Sequence, residues 1–170
     1  QEDLRRQTQA RIDEGFIGYE SAQQIKTGQP IGVGTQPVNV RKPFSYTNRQ
    51  DDFKAALGRQ AGHQLASISA PVVFVIKKNP STLNHLIEWL KAHNTGQDGL
   101  IHDIPLQLID DEADNASINT AKDPDKATRI NSQIRYVVQL FAQSCYVGYT
   151  ATPFANIFID KDLETADHGE

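Results

Sequence analysis

Apolar positions in this chain follow two periods, and where the period changes the elements can be placed. Leu4, Thr8, Ile12 and Phe16 recur every four residues, with Glu2 and Asp3 ahead of them. That spacing predicts an amphipathic helix with acids in its first turn, ending near Gly15 or Gly18. From Ser21 to Val40 the pattern dissolves into Gln, Gly, Pro and Thr, a loop with one short strand expected near Ile31 or Val38. Phe44 and Tyr46 fit a short strand, and Asp51 is placed to cap a short helix carrying Phe53, Ala56 and Leu57. Pro71-Val72-Val73-Phe74-Val75-Ile76 is a continuous β-branched run, the pattern of a strand covered on both faces. Lys77-Lys78-Asn79-Pro80 breaks it, and Ser81 is the expected N-cap of a helix with Leu83, Leu86, Ile87 and Leu90 on one face, ending by Asn94 to Gln97.

Leu106 to Ile109 is a second buried-strand pattern, and Asn115 to Lys126 is polar, an expected surface loop. Ile130, Ile134, Val137, Val138 and Phe141 mark another amphipathic helix, Tyr146 to Tyr149 a third buried strand opened by Cys145, and Asn156 to Asp160 a further short one. The tail from Lys161 is acidic, and 161–170 is expected to be flexible. Strands alternating with helices predict an α/β fold with a mostly parallel sheet flanked by helices, and 170 residues suit a single domain.

Composition narrows the setting. The net charge of −4 is unlike that of a dedicated nucleic-acid module, so any contact with DNA needs a local basic face. The single cysteine, Cys145, excludes an internal disulfide and fits a reducing, cytoplasmic setting. No apolar run approaches the roughly 20 residues that cross a bilayer, and the charged start is not a signal peptide. The chain has no methionine and begins in what reads as mid-helix, which suggests a piece of a longer protein.

The chemistry lies at the ends of the second and third strands. The second runs into Asp110-Asp111-Glu112-Ala113-Asp114, the third into Thr150-Ala151-Thr152-Pro153. An apolar strand delivering Asp-Glu at its carboxyl end is how a nucleotide-hydrolysing sheet sets a magnesium-holding aspartate beside a water-orienting glutamate. Ile109 to Asp114 resembles motif II, the Walker B motif, of superfamily 2 helicases and translocases, and Thr150-Ala151-Thr152-Pro153 resembles their motif III. More closely, LIDDEADNASIN, TRINSQIRYVVQLF and YVGYTATPFANIFID resemble Z1-domain proteins, endonucleases linked to superfamily 2 helicases in bacterial restriction and defence systems. LRRQTQARIDEGFIG is similar to the stretch that follows the Walker A strand and helix in that family. The resemblance covers most of the chain and is weakest between Ser21 and Gly62.

The resemblance implies a partial RecA-like (P-loop NTPase) lobe and a role for each residue. Asp111 would hold Mg²⁺, Glu112 would activate the attacking water, and Asp114, Thr150 and Thr152 would couple nucleotide state to domain motion. Lys77, Lys78 and Asn79 would line the nucleic-acid path. No G-x-x-x-x-G-K-[ST] occurs in the chain, and the Gly28–Gly34 stretch has no lysine in place. ATP and Mg²⁺ are therefore expected to be cofactors of a longer parent protein rather than of this chain alone, which is expected to be inactive by itself. The expected partners are DNA, the upstream and downstream domains of the parent, and another copy across an incomplete sheet edge.

Two other readings stand beside this one. The carboxylates at Asp110 to Asp114 could serve a metal-dependent nuclease, although no E-x-K or D-x-K companion follows. A domain with a degraded nucleotide site could serve as a docking surface. Arg5, Arg6 and Arg11 read as a solvated face, Trp89 as partial core and Asp110 as a neighbour of the functional acids. His63, His85, His93, His102 and His168 show no ligand spacing.

Overall fold

The computed structural model describes residues 2–23, 29–36, 43–54, 64–111, 113 and 124–150. Mixed α/β architecture is observed: among the described residues there are three α-helices and short parallel strands in two small sheets. Helix α1 spans Glu2–Ile12 and runs on through a π-helical turn, Asp13–Ile17, to a left-handed Gly18. Strand β1, Phe44–Ser45, pairs in parallel with β2, Val72–Val73. Helix α2, Pro80–Asn94, leads to β3, Leu106–Asp111; helix α3, Pro124–Gln139, leads to β4, Ser144–Tyr149. β3 and β4 are parallel neighbours.

The core lies where α2 and α3 pack on each other and on one face of the strands. Leu86, Ile87, Trp89 and Leu90 of α2 meet Val137, Leu140 and Phe141, with Phe53 and Ile101 almost fully buried beside them. Leu83, Ile130 and Ile134 close a second cluster over Ile76 and Leu108. These are the apolar stripes the periodicity predicts, and Trp89 is full core. Helix α2 begins two residues earlier than expected. Asn79, not Ser81, is the cap: its side chain accepts from the Thr82 amide at 2.9 Å, and Pro80 occupies the first helical position, where no amide donor is needed. Helix α3 also starts earlier than expected, because Pro124 opens it inside the stretch read as loop.

Helix α1 buries a different face from the one its apolar residues predict. Leu4 and Phe16 are exposed, whereas Arg5, Gln9, Asp13 and Ile17, again four apart, are buried. The reason is what this face meets: backbone that continues past the ends of β1 and β2 and lacks ladder partners. Arg5 donates to the carbonyls of Asn48 and Arg49 at 2.9 and 3.1 Å, so it is no part of a solvated face. Thr47 donates its hydroxyl to Gln9 Oε1 at 2.8 Å and accepts from the Val75 amide at 2.8 Å. Gln9 in turn donates to Asp13 at 3.0 Å, whose other oxygen takes the amide and hydroxyl of Ser21. A polar stripe satisfies these groups where an apolar one would strand them.

Other expectations shift as well. Residues 51–54 are not helical, although Phe53 is buried; Ala56 and Leu57, expected on the same helix, lie outside the described residues. Near Ile31 the described residues hold a 3-10 turn and an antiparallel bridge of Pro30 with Tyr19 in place of a strand, and Val38 lies outside the described residues. The left-handed Gly18 lies so close to Gly34 that a Cβ on either would meet the other's backbone. The strand expected at 156–160 and the tail from Lys161 lie outside the described residues.

Among the described residues, β3 and β4 are not covered on both faces. Leu106, Leu108 and Asp110 face the helices, while Gln107, Ile109 and Asp111 are exposed, Ile109 by 57 %. On β4, Tyr149 is 59 % exposed and Cys145 is exposed rather than buried. No third strand joins this pair among the described residues. No helix among them is long and apolar enough to cross a membrane.

Candidate functional site

Asp111 and Thr150 sit at the same edge of one sheet because β3 and β4 are parallel and in register. Leu106 pairs with Ser144, Ile109 with Val147 and Asp111 with Tyr149. Adjacent strands lie about 4.8 Å apart, so Asp111 and the Thr150 that follows Tyr149 share the carboxyl edge of the pair. Glu112, Asp114 and Thr152 lie outside the described residues. Ala113 is described and ties its run to β4: a Cβ built on Gly148 would lie 3.2 Å from the Ala113 Cβ and 3.4 Å from a Tyr146 ring carbon. The glycine leaves room for Ala113 to lie over the strand.

Gly148→Ala should therefore push Ala113 outward by a few tenths of an ångström. Overpacking of this kind costs about 1–3 kcal/mol, so a lower unfolding midpoint in chemical denaturation is expected. An unchanged midpoint would show that Ala113 does not rest on β4.

The successive acids point to opposite faces of the strand. Asp111 is exposed on the uncovered face. Asp110 turns toward the helices and is 6 % exposed. Lys78 Nζ lies 2.8 Å from its Oδ1, and the Tyr146 hydroxyl donates to its Oδ2 at 2.9 Å. Burial and the Asp110 carboxylate together push the Tyr146 hydroxyl up to about 12, because a second negative charge beside the first is unfavourable. The sequence gives little sign of this arrangement, since Lys78 and Tyr146 are remote from Asp110 along the chain.

The three residues expected on a nucleic-acid path all have intramolecular partners. Lys77 pairs with Glu2. Lys77 and then Arg5 hold the Glu2 carboxyl down at about 2. Lys78 pairs with Asp110, and Asn79 caps α2. Asn79 also lines an open groove of about 520 Å³ between the amino-terminal turns of α2 and α3, with Ser81, Asn84, His85, Lys126 and Arg129. Lys126 and Arg129 are basic residues that the sequence reading passed over; their spacing of three on α3 sets them on neighbouring positions of one helical face.

A divalent ion would find few ligands here without help. Among the described residues no group of three His, Cys, Asp or Glu side chains could hold a metal. Mg²⁺ that arrives with a nucleotide needs only one or two carboxylates, because phosphates and water supply the rest. Asp111 fits that requirement. Of the histidines, His102 is engaged with Asp98 at 2.7 Å.

No protein-family model, no curated protein and no solved structure matches this chain.

Proposed function

We propose that this chain is part of the first RecA-like lobe of a helicase-like ATPase that acts on DNA, of the Z1 type found in bacterial restriction and defence systems. One observation carries the reading: the parallel register of β3 and β4 brings Asp111 and Thr150 to one carboxyl edge. In open α/β sheets, ligands bind at that edge. Asp111 would hold Mg²⁺ on nucleotide phosphates, Glu112 would orient the attacking water, and Asp114, Thr150 and Thr152 would report the nucleotide state. The phosphate loop is not in this sequence, so it would come from another part of the parent protein. The groove between α2 and α3, with Lys126 and Arg129, supplies the local basic face that an overall acidic chain needs for phosphate backbone.

The nuclease alternative is weakened by the strand's alternation. A lysine does lie beside the acids, but Lys78 reaches Asp110 on the helix side of β3, while Asp111 faces away from it. Lysine and metal-holding carboxylate would stand on opposite faces.

The test is ATP hydrolysis by the full-length protein with and without DNA. Turnover that rises with added duplex or single strands supports the proposal. DNA cleavage by this chain alone with Mg²⁺ or Mn²⁺, lost in Asp111→Ala, would replace it with the nuclease reading.

A further inference from the structure

We propose that Lys78, Asp110 and Tyr146 form a positioning clamp that holds the acid run in register with β4, and that Lys78 serves this clamp rather than a nucleic-acid backbone. The proposal rests on the ATPase reading for its consequence, though not for its geometry. Both oxygens of one carboxylate are taken by residues from two other segments: Lys78, beyond the end of β2, and Tyr146, in the middle of β4. The carboxylate joins three segments at one point, directly before Asp111 in sequence.

The surroundings make the pairing hard to exchange. Asp110 is 6 % exposed and the Lys78 side chain 25 %. Drawing Lys78 away toward a phosphate would leave a buried carboxylate with only a tyrosine hydroxyl, and an uncompensated buried charge is strongly unfavourable. A surface lysine waiting for DNA has no such tie. Lys77, at 29 %, is held by Glu2, which is itself one-third exposed, so that pair is far easier to open.

Asp110 cannot act on the nucleotide itself, because it faces the helices. It acts through its neighbours. With Asp110 fixed, the backbone of Asp111 is held against Tyr149, and Ala113 closes over Gly148 beside the Tyr146 ring. Small errors at such a position are costly to chemistry: a displacement of about 1 Å can lower a rate about a hundredfold.

The experiment has two arms. In the full-length protein, DNA-stimulated hydrolysis is compared for wild type, Lys78→Gln, Lys78→Arg and Lys77→Gln over a range of salt. Lys78→Gln should lower turnover at saturating DNA by at least about tenfold, with the half-saturating DNA concentration and its salt slope unchanged. Lys78→Arg should restore most of the loss. If Lys78→Gln instead weakens DNA and reduces the salt slope by about one while saturated turnover stays constant, Lys78 is a phosphate ligand and the clamp is rejected. Lack of any wild-type turnover would reject the ATPase reading alone.

The second arm needs no activity. In ¹⁵N NMR of this chain, the Lys78 ammonium should give a signal protected from solvent exchange. Lys78→Gln should displace the Asp111 and Ala113 amide resonances, and Tyr146→Phe should move them the same way with the fold retained. Unmoved resonances in both variants, or no protected ammonium in wild type, would overturn the proposal.

Discussion

Glu112→Gln in the full-length protein is expected to remove DNA-stimulated ATP hydrolysis while leaving ATP binding in place. The amide keeps the shape of the carboxylate and loses its charge and basicity, so it can touch the attacking water without polarising it. Proton-handling side chains of this kind contribute about 10²–10⁴ in rate, and a fall of about a thousandfold is the expected size. Binding should survive because affinity comes from contacts to phosphates and Mg²⁺, which Asp111 and the parent's phosphate loop would hold. Phosphate release and the fluorescence of a bound nucleotide analogue read the two quantities separately. Turnover within a factor of two of wild type, with DNA still stimulating it, would remove Glu112 from the chemistry.

The largest loss of stability is expected from Trp89→Ala. Trp89 is 5 % exposed and sits among three aromatic rings, with centroids 5.3 Å away at Tyr46, 5.7 Å at Phe53 and 5.8 Å at Phe74. Truncating a buried tryptophan costs about 3–5 kcal/mol through lost transfer energy and the cavity left behind. Tyr46 and Phe74 stay stacked at 5.1 Å but lose the ring that packs on both. Domains commonly have about 5–15 kcal/mol in total, so the variant should be near the unfolding threshold at room temperature. Urea unfolding followed by far-ultraviolet circular dichroism measures the change. A loss below about 1 kcal/mol, typical of surface sites, would show that this cluster is not the core.

Helices α2 and α3 were legible in the sequence because an apolar stripe of period 3.6 has one use in a helix, which is burial. Leu83, Leu86, Ile87 and Leu90, like Ile130, Ile134 and Val137, are buried where that period places them. The same logic fails for α1. Its face is chosen by the Asn48 and Arg49 carbonyls and by the Thr47 hydroxyl, which in turn takes the Val75 amide, and those demands come from segments far along the chain. A stripe of Arg5, Gln9 and Asp13 looks solvated until its partners are known.

The candidate site was legible in outline and hidden in detail. Apolar runs ending in Asp111 and Thr150 read as strands with chemistry at one end, and they do lie side by side in parallel. The continuous apolar runs implied cover on both faces, yet one face of β3 and β4 is open among the described residues. Periodicity reports what a strand tolerates and cannot say which other element lies over it. The sequence set Asp110 apart as a neighbour of the functional acids, but its partners were hidden for a related reason. Strand alternation sends Asp110 inward to Lys78 and Tyr146, both remote along the chain, while Asp111 turns outward.

The most direct measurement is a crystal structure of the full-length protein with a non-hydrolysable ATP analogue and Mg²⁺. The account predicts Mg²⁺ at the end of β3, bound by Asp111 directly at about 2.1 Å or through one water, with Glu112 and Thr152 both facing the γ-phosphate. A nucleotide bound elsewhere, or Glu112 and Thr152 on opposite sides of the molecule, would contradict it.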